Sequence, residues 1–343
     1  MAVLPSDPDL GQLRRRAKEL LRAAQRGDSP ALSRLEAVGR KRDLATAQLA
    51  LAREYGFSSW PKLKLEVDRR RILDDRDLRR LARLISRHPD VVTSSMQNWS
   101  DHPAGASPLG YIAMARFDTG RNRWRDLEGT GEVARTLIAA GAQVDGDEGD
   151  SESPLITAAS YGDAAVAKVL IEAGANLDAR ATDDAGGVPR GTALLHAAVF
   201  GMTEVVDALV AAGATIGGIE EAAAAGDISG WLNPETPEDA RIRALVMAAD
   251  HQRLDVIDQL VAAGTPVDGV DPVFGGHPLR RAAAGGRPAT VRRLLTLGAD
   301  PNLADPEYGL TPLGWCRKNR SGYEETSAFD EVESILLPIT NQA

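Results

Sequence analysis

Cysteine is almost missing: Cys316 stands alone in 343 residues. One thiol excludes a disulfide framework and any cysteine-based metal cluster within the chain. Aromatic residues make up only 4%, too few for a β core built on large side chains. No apolar run approaches the roughly 20 residues of a membrane-spanning helix, and the amino terminus lacks a signal-peptide core. A soluble, cytoplasmic protein is expected. The histidines His88, His102, His196, His251 and His277 are scattered without metal-ligand spacing. The acidic stretch Asp145–Glu152 lacks the ordered ligands of a calcium loop. Phosphate loop, dinucleotide fingerprint and nucleophile elbow are all absent; Gly105-Ala106-Ser107 and Gly186-Gly187 read as plain turns. The chain is therefore expected to be no enzyme and to carry no cofactor or metal.

What is there is charge, alanine and glycine. The net charge of −9 hides an asymmetry. Residues 1–90 hold 21 basic and 13 acidic side chains, a balance of +8, whereas the remainder carries −17. The basic excess clusters at Arg14–Arg16, Arg40–Arg42 and Arg69–Arg71, followed by Arg76, Arg79, Arg80, Arg83 and Arg87. Solvated helix faces are the simplest reading of these clusters; attraction to nucleic acid or to an acidic surface is the other.

Counting reveals a repeat. Leu155, Leu194, Leu245 and Leu279 each precede a glycine (Gly174, Gly213, Gly264, Gly298) by 19 residues, and Leu109 precedes Gly141 by 32. A fixed spacing of this kind marks stacked units. Each unit reads as helix, turn, helix, finger. Pro108, Pro154, Pro278 and Pro312 sit at helix starts, where a missing N–H costs nothing, and Ser107, Ser153 and Thr311 can cap them. Paired alanines (Ala158-Ala159, Ala197-Ala198, Ala248-Ala249, Ala282-Ala283) allow close approach of first helices, which Gly162, Gly201 and Gly286 then end. The second helices carry an apolar stripe, as in Val205, Val206, Leu209 and Val210.

These residues resemble the ankyrin repeat, with Thr311-Pro312-Leu313 and Gly298-Ala299-Asp300-Pro301-Asn302 as close matches. The resemblance covers about residues 107–337 and implies an all-α repeat solenoid. In the family a histidine follows the Thr-Pro-Leu. Here Gly110, Ile156, Leu195, Arg280 and Gly314 stand in that place, so the resemblance does not supply that histidine's inter-repeat hydrogen bonds. His196 falls one place later and is expected to be a satisfied core imidazole. The expected organisation is a basic helical leader and amino-terminal cap over 1–90, then an ankyrin domain over 91–337. That domain holds five recognisable repeats and a carboxy-terminal capping unit, with a tail at 338–343. The leader resembles the helical block that precedes ankyrin repeats in many bacterial proteins, and the bias to Arg over Lys points to a GC-rich bacterial genome.

The period breaks near 116–130 and 217–237. Within the second break Ile219–Ala225 reads as a helix, a degenerate half-unit at which the solenoid should bend or break. Insertions in repeat arrays often map to the binding face. The slot six residues after each anchoring Leu holds Ala115, Tyr161, Phe200, His251 and Gly285. In ankyrin proteins this slot lines the concave groove, so Tyr161, Phe200 and His251 are candidates for one aromatic patch. Arg123 and Trp124 in the first insertion, Trp231 in the second, and Trp99 complete the candidate partner-binding set; each ring could equally be packed. The leading functional expectation is a scaffold for an unidentified protein partner. A second is a DNA-binding regulator: residues 52–60 resemble a helix-turn-helix elbow, with Arg53, Lys62 and Lys64 as phosphate or base contacts, although Trp60 and Pro61 occupy the tip. A third makes the insertions walls of a small-molecule pocket.

Overall fold

The computed structural model describes residues 2–5, 7–97, 106–118, 120–273 and 275–341. The chain forms two compact units, one of residues 1–112 and 132–143, the other of 113–131 and 144–343.

In the first unit α1 (Leu10–Gln25), α2 (Ser29–Glu36), α3 (Leu44–Glu54), α4 (Trp60–Asp74) and α5 (Leu78–Arg87) follow one another, and a 3₁₀ turn covers Pro89–Val92. Each α-helix starts on a capping side chain. The carboxylates of Asp9, Asp28, Asp43 and Asp77 and the Ser59 hydroxyl accept from the backbone N–H three residues on. Leu13, Ala17, Leu51, Phe57, Leu63 and Val67 form one core cluster, and Leu20, Ala24, Leu35, Ala47 and Ala50 a second.

The expectation of solvated basic faces fails at Arg69 and Arg70, which are 4% and 1% exposed. Both pair with the buried Glu66. Arg69 also donates to the carbonyls of Val91 (3.1 Å), Ser94 (2.7 Å) and Ser95 (3.0 Å), and Glu66 accepts from Gln97 N at 2.9 Å. Buried charge is tolerated only when paired and hydrogen-bonded, and the segment after the 3₁₀ turn supplies the acceptors.

The second unit holds the first insertion and the repeats from residue 144 on, whereas most of the two helices that flank the insertion falls in the first. After α6 (Pro108–Ala113) the first insertion forms a small antiparallel hairpin, β1 (Phe117–Asp118) and β2 (Arg123–Trp124), with Phe117 opposite Trp124. Beyond α7 (Thr130–Ala139) come α8 (Pro154–Ser160) and α9 (Ala164–Glu172), then α10 (Ala193–Val199) and α11 (Thr203–Ala211). The single helix α12 (Ile219–Ala225) follows, then α13 (Glu238–Asp250) and α14 (Leu254–Ala262). The last pairs are α15 (Pro278–Ala284) with α16 (Pro288–Thr296), and α17 (Pro312–Arg320) with α18 (Ser327–Leu336).

First helices pack side by side in the order α8, α10, α12, α13, α15, α17. Leu155, Leu194, Leu245 and Leu279 are at most 1% exposed, and the paired alanines are fully buried. Alanine leaves room for backbones to approach, and burial of the flanking Leu and Val supplies the stabilisation. The helix α12 belongs to this row: Ile219 takes the anchor place, with Ala222 and Ala223 buried behind it. Only its second helix is missing, replaced by an irregular run from 226 to 237 with Ile228 buried. The expected break is therefore not in the first-helix row, which continues through α12.

Gly162, Gly201 and Gly286 end first helices at φ +66°, +72° and +64°. After α13 the same place is taken by Gln252, at φ +58°. A left-handed conformation costs a side-chain-bearing residue roughly 1–2 kcal/mol relative to glycine. Gln252→Gly is thus expected to raise the unfolding free energy by about 1 kcal/mol, read as a higher denaturant midpoint at unchanged slope. A lower midpoint would contradict the assignment of strain to this residue.

Candidate functional site

A first helix leaves its last carbonyls without intrahelical partners, and stacking brings these ends along one edge. Side chains from elsewhere in the unit reach these carbonyls or those of the turns just beyond them. Arg116 donates to Gly162 O, and Arg125 to Ala115 O in the turn after α6. Arg281 reaches Val199 O at 2.7 Å, while Arg287 reaches Gly201 O at 3.1 Å and Asp250 O at 3.0 Å. Arg253 donates to Ala224 O at 2.7 Å and Asn319 to Ala284 O at 3.1 Å. Cations at helix carboxyl ends also oppose the helix dipole. The buried carboxylate of Asp250 anchors this row by accepting from Arg281. None of these arginines was singled out from sequence. One signal was present: Arg253 and Arg287 both stand eight residues after an anchoring Leu.

The hairpin lies on this edge and is fixed at both ends. Its inner rings pack on the slot residue Tyr161: Phe117 to Trp124 is 5.0 Å between centroids, Phe117 to Tyr161 is 6.2 Å and Trp124 to Tyr161 is 6.3 Å. Across the edge it meets the loop after α17. Trp124 N donates to Gly322 O at 2.7 Å, Arg123 to Tyr323 O at 3.3 Å, and Asp126 N to the Glu324 carboxylate at 3.4 Å. The Trp124 and Tyr323 rings stack at 6.3 Å, and Tyr323 continues to Phe329 at 4.9 Å. Two segments 200 residues apart thereby wall a cavity of about 420 Å³. Its lining includes Trp124, Tyr161, Phe200, Met202, Tyr323 and Arg287, with Asp126, Glu204, Glu324 and Glu325 also contributing.

Of the residues named from sequence, Tyr161, Phe200 and Trp124 line this one cavity, and Arg123 holds its wall. Phe200 remains 40% exposed. His251 does not join them. It is 1% exposed, with Nε2 donating to Ala198 O at 2.8 Å and Nδ1 at 3.0 Å from the Thr203 hydroxyl. Its ring is an inter-repeat tie, and the three-ring patch expected along the slot is corrected accordingly. His196 is buried as expected, between Val188 O at 2.9 Å and the Ser160 hydroxyl at 2.8 Å. His277 caps α15 and reaches Leu303 O at 3.2 Å. Trp231 is 38% exposed in the run after α12 and does not line the cavity. Trp99 lies outside the described residues. Arg53, Lys62 and Lys64 are exposed in the first unit, but Trp60, at the tip that would meet base edges, packs against the Leu13 and Leu63 core. That geometry is a helical corner.

Burial pushes the Cys316 thiol up to about 11, and its sulfur donates to Phe329 O at 3.4 Å. Among the described residues no group of His, Cys, Asp or Glu could hold a metal ion, and no helix is long and apolar enough to cross a membrane. A second cavity of about 330 Å³, on the finger side, is lined by Asp178, Arg180, Thr192 and Glu221 among others. Burial raises the Glu221 carboxyl, which accepts from Gly217 N.

The family model that describes ankyrin repeats in three copies matches residues 127–218. The helix pairs of this segment have the ankyrin-repeat fold. Among solved structures, the human ASB11 ankyrin repeat domain is similar at 20% identity and a TM-score of 0.35, with 81% of this chain and 98% of that chain covered. No curated protein sequence matches. The ankyrin match spans α7 to α11 and includes Tyr161 and Phe200, whereas the hairpin at 117–124 and the loop at 322–325 lie outside it.

Burial holds His251 neutral, its value lowered to about 4. The unfolded chain takes up a proton near 6.5, so acidification favours unfolding across that interval, and the contribution is fully present only above it. The stability lost between pH 7 and pH 5 is expected to be about 2 kcal/mol smaller in His251→Gln than in the parent, measured by denaturant titration at both pH values. Equal losses would show that the imidazole is not held neutral.

Proposed function

We propose that this ankyrin-repeat chain is a non-enzymatic scaffold that binds another protein in the cavity beneath the hairpin. Ankyrin repeats in general serve as scaffolds for protein–protein interaction. One observation carries the placement: Phe200 lines a cavity whose other rings are packed against one another, yet it keeps 40% of its surface exposed. An aromatic ring at the centre of a partly desolvated pocket is the usual energetic anchor of an interface. The walls suit that role. They are tied by backbone hydrogen bonds to elements on either side, so the pocket loses little freedom on binding. The reading includes a cytoplasmic setting and a helical leader over residues 1–90.

Phe200 is 40% exposed and meets the His196 ring edge-on at 6.1 Å, so it is the candidate ring whose loss disturbs the fold least. With the full chain as bait in host lysate, Phe200→Ala is expected to lower recovery of the bound protein about tenfold or more while the chain stays folded, with the melting temperature lowered by only about a few degrees. Undiminished recovery would place the interface elsewhere on the molecule.

A further inference from the structure

Four carboxylates border the cavity and come from three separate places: Asp126 just beyond the hairpin, Glu204 in the first turn of α11, and Glu324 and Glu325 in the loop after α17. All four are exposed, and none forms an ion pair with Lys or Arg among the described residues. Glu324 accepts from the backbone of Asp126, and Glu325 from Ser327 N at 2.8 Å. The basic side chains of the same lining are differently placed. Arg116, Arg125 and Arg287 direct their guanidinium groups at carbonyls of helix ends, where they oppose partial negative charge. The three guanidinium charges remain in the lining but are half-buried, whereas the four carboxylates are the exposed charges at the opening, beside the accessible ring of Phe200 and at the edge of the Trp124–Tyr161–Tyr323 wall. A cation beside an aromatic face is attracted by the ring quadrupole, more strongly as water is excluded. Carboxylates around it supply charge-assisted acceptors.

We infer that the cavity receives a cationic side chain, arginine or lysine, presented by the protein partner. The inference rests on the interface reading above and goes further in naming the chemistry of the occupant. It explains why the wall is aromatic and the border acidic in one place, and it fits the excess of negative charge over residues 91–343. Complementary charge at a pocket's edge sets partner choice and speeds encounter.

The test uses the full chain and capped oligo-arginine, oligo-lysine and oligo-glutamate peptides in calorimetric titration at low salt. The cationic peptides are expected to bind and oligo-glutamate not to. Asp126→Asn with Glu204→Gln should weaken cationic binding about tenfold or more, as should the uncharged change Phe200→Ala. Glu148→Gln with Asp255→Asn removes the same charge at exposed sites outside the cavity and should leave binding within about twofold of the parent. Equal weakening by that control pair, an undiminished affinity in Phe200→Ala, or binding of oligo-glutamate would overturn the inference. The two readings fail differently. If recovery of the natural partner depends on Phe200 but not on Asp126 and Glu204, the cavity remains the interface and the cationic occupant is wrong.

Discussion

Stacked short helices have a recurring difficulty: each ends in carbonyl groups that its own backbone cannot satisfy, and stacking gathers these ends into one edge. Here most of that demand is met by arginine. Arg116, Arg125, Arg253, Arg281 and Arg287 each reach from another turn or repeat to a helix end, with Asn319 and His251 completing the set. An arginine there does two things at once, saturating acceptors and opposing the dipole. The edge that in another design would be a row of exposed carbonyls becomes a firm floor, and the candidate cavity stands on it.

The insertion in the first repeat is built into the same scheme. Arg116 and Arg125 flank the hairpin and each holds a helix end, so its base is fixed by the interactions that finish the stack. Its tip is fixed by Trp124 and Arg123 on the Gly322–Tyr323 backbone. A loop that bridges the first and last parts of the second unit is what turns an open edge into a walled pocket. The buried histidines serve a related purpose. His196, His251 and His277 each join two segments through a carbonyl and one further partner.

Much of the architecture was legible because it is periodic. The leucine-to-glycine spacing placed the helix pairs, and the alanine pairs placed the close approach between them. Ile219–Ala225 was readable as a helix, though its membership of the first-helix row required seeing Ile219 as an anchor in the absence of Leu. What was not legible is what periodicity does not encode. The hairpin and the loop at 322–324 are 200 residues apart, and no spacing links them. Arg69 and Arg70 looked like solvated charge because their acceptors lie on an irregular segment more than twenty residues on. His251 looked like a groove residue because the ankyrin resemblance puts its slot in the groove, and in the structure Phe200 is the exposed ring of that slot. Whether a ring in this slot faces outward depends on whether an acceptor lies behind it.

In the isolated chain the hairpin is closed onto the far loop. Amide hydrogen exchange at Trp124 reports on this directly, since its N–H is committed to Gly322 O. A closed hairpin gives exchange slowed by orders of magnitude relative to an unstructured peptide. Exchange at the unstructured rate, with the amides of α8 and α10 still protected, would mean that the wall does not stand and that the cavity is not a property of the folded chain.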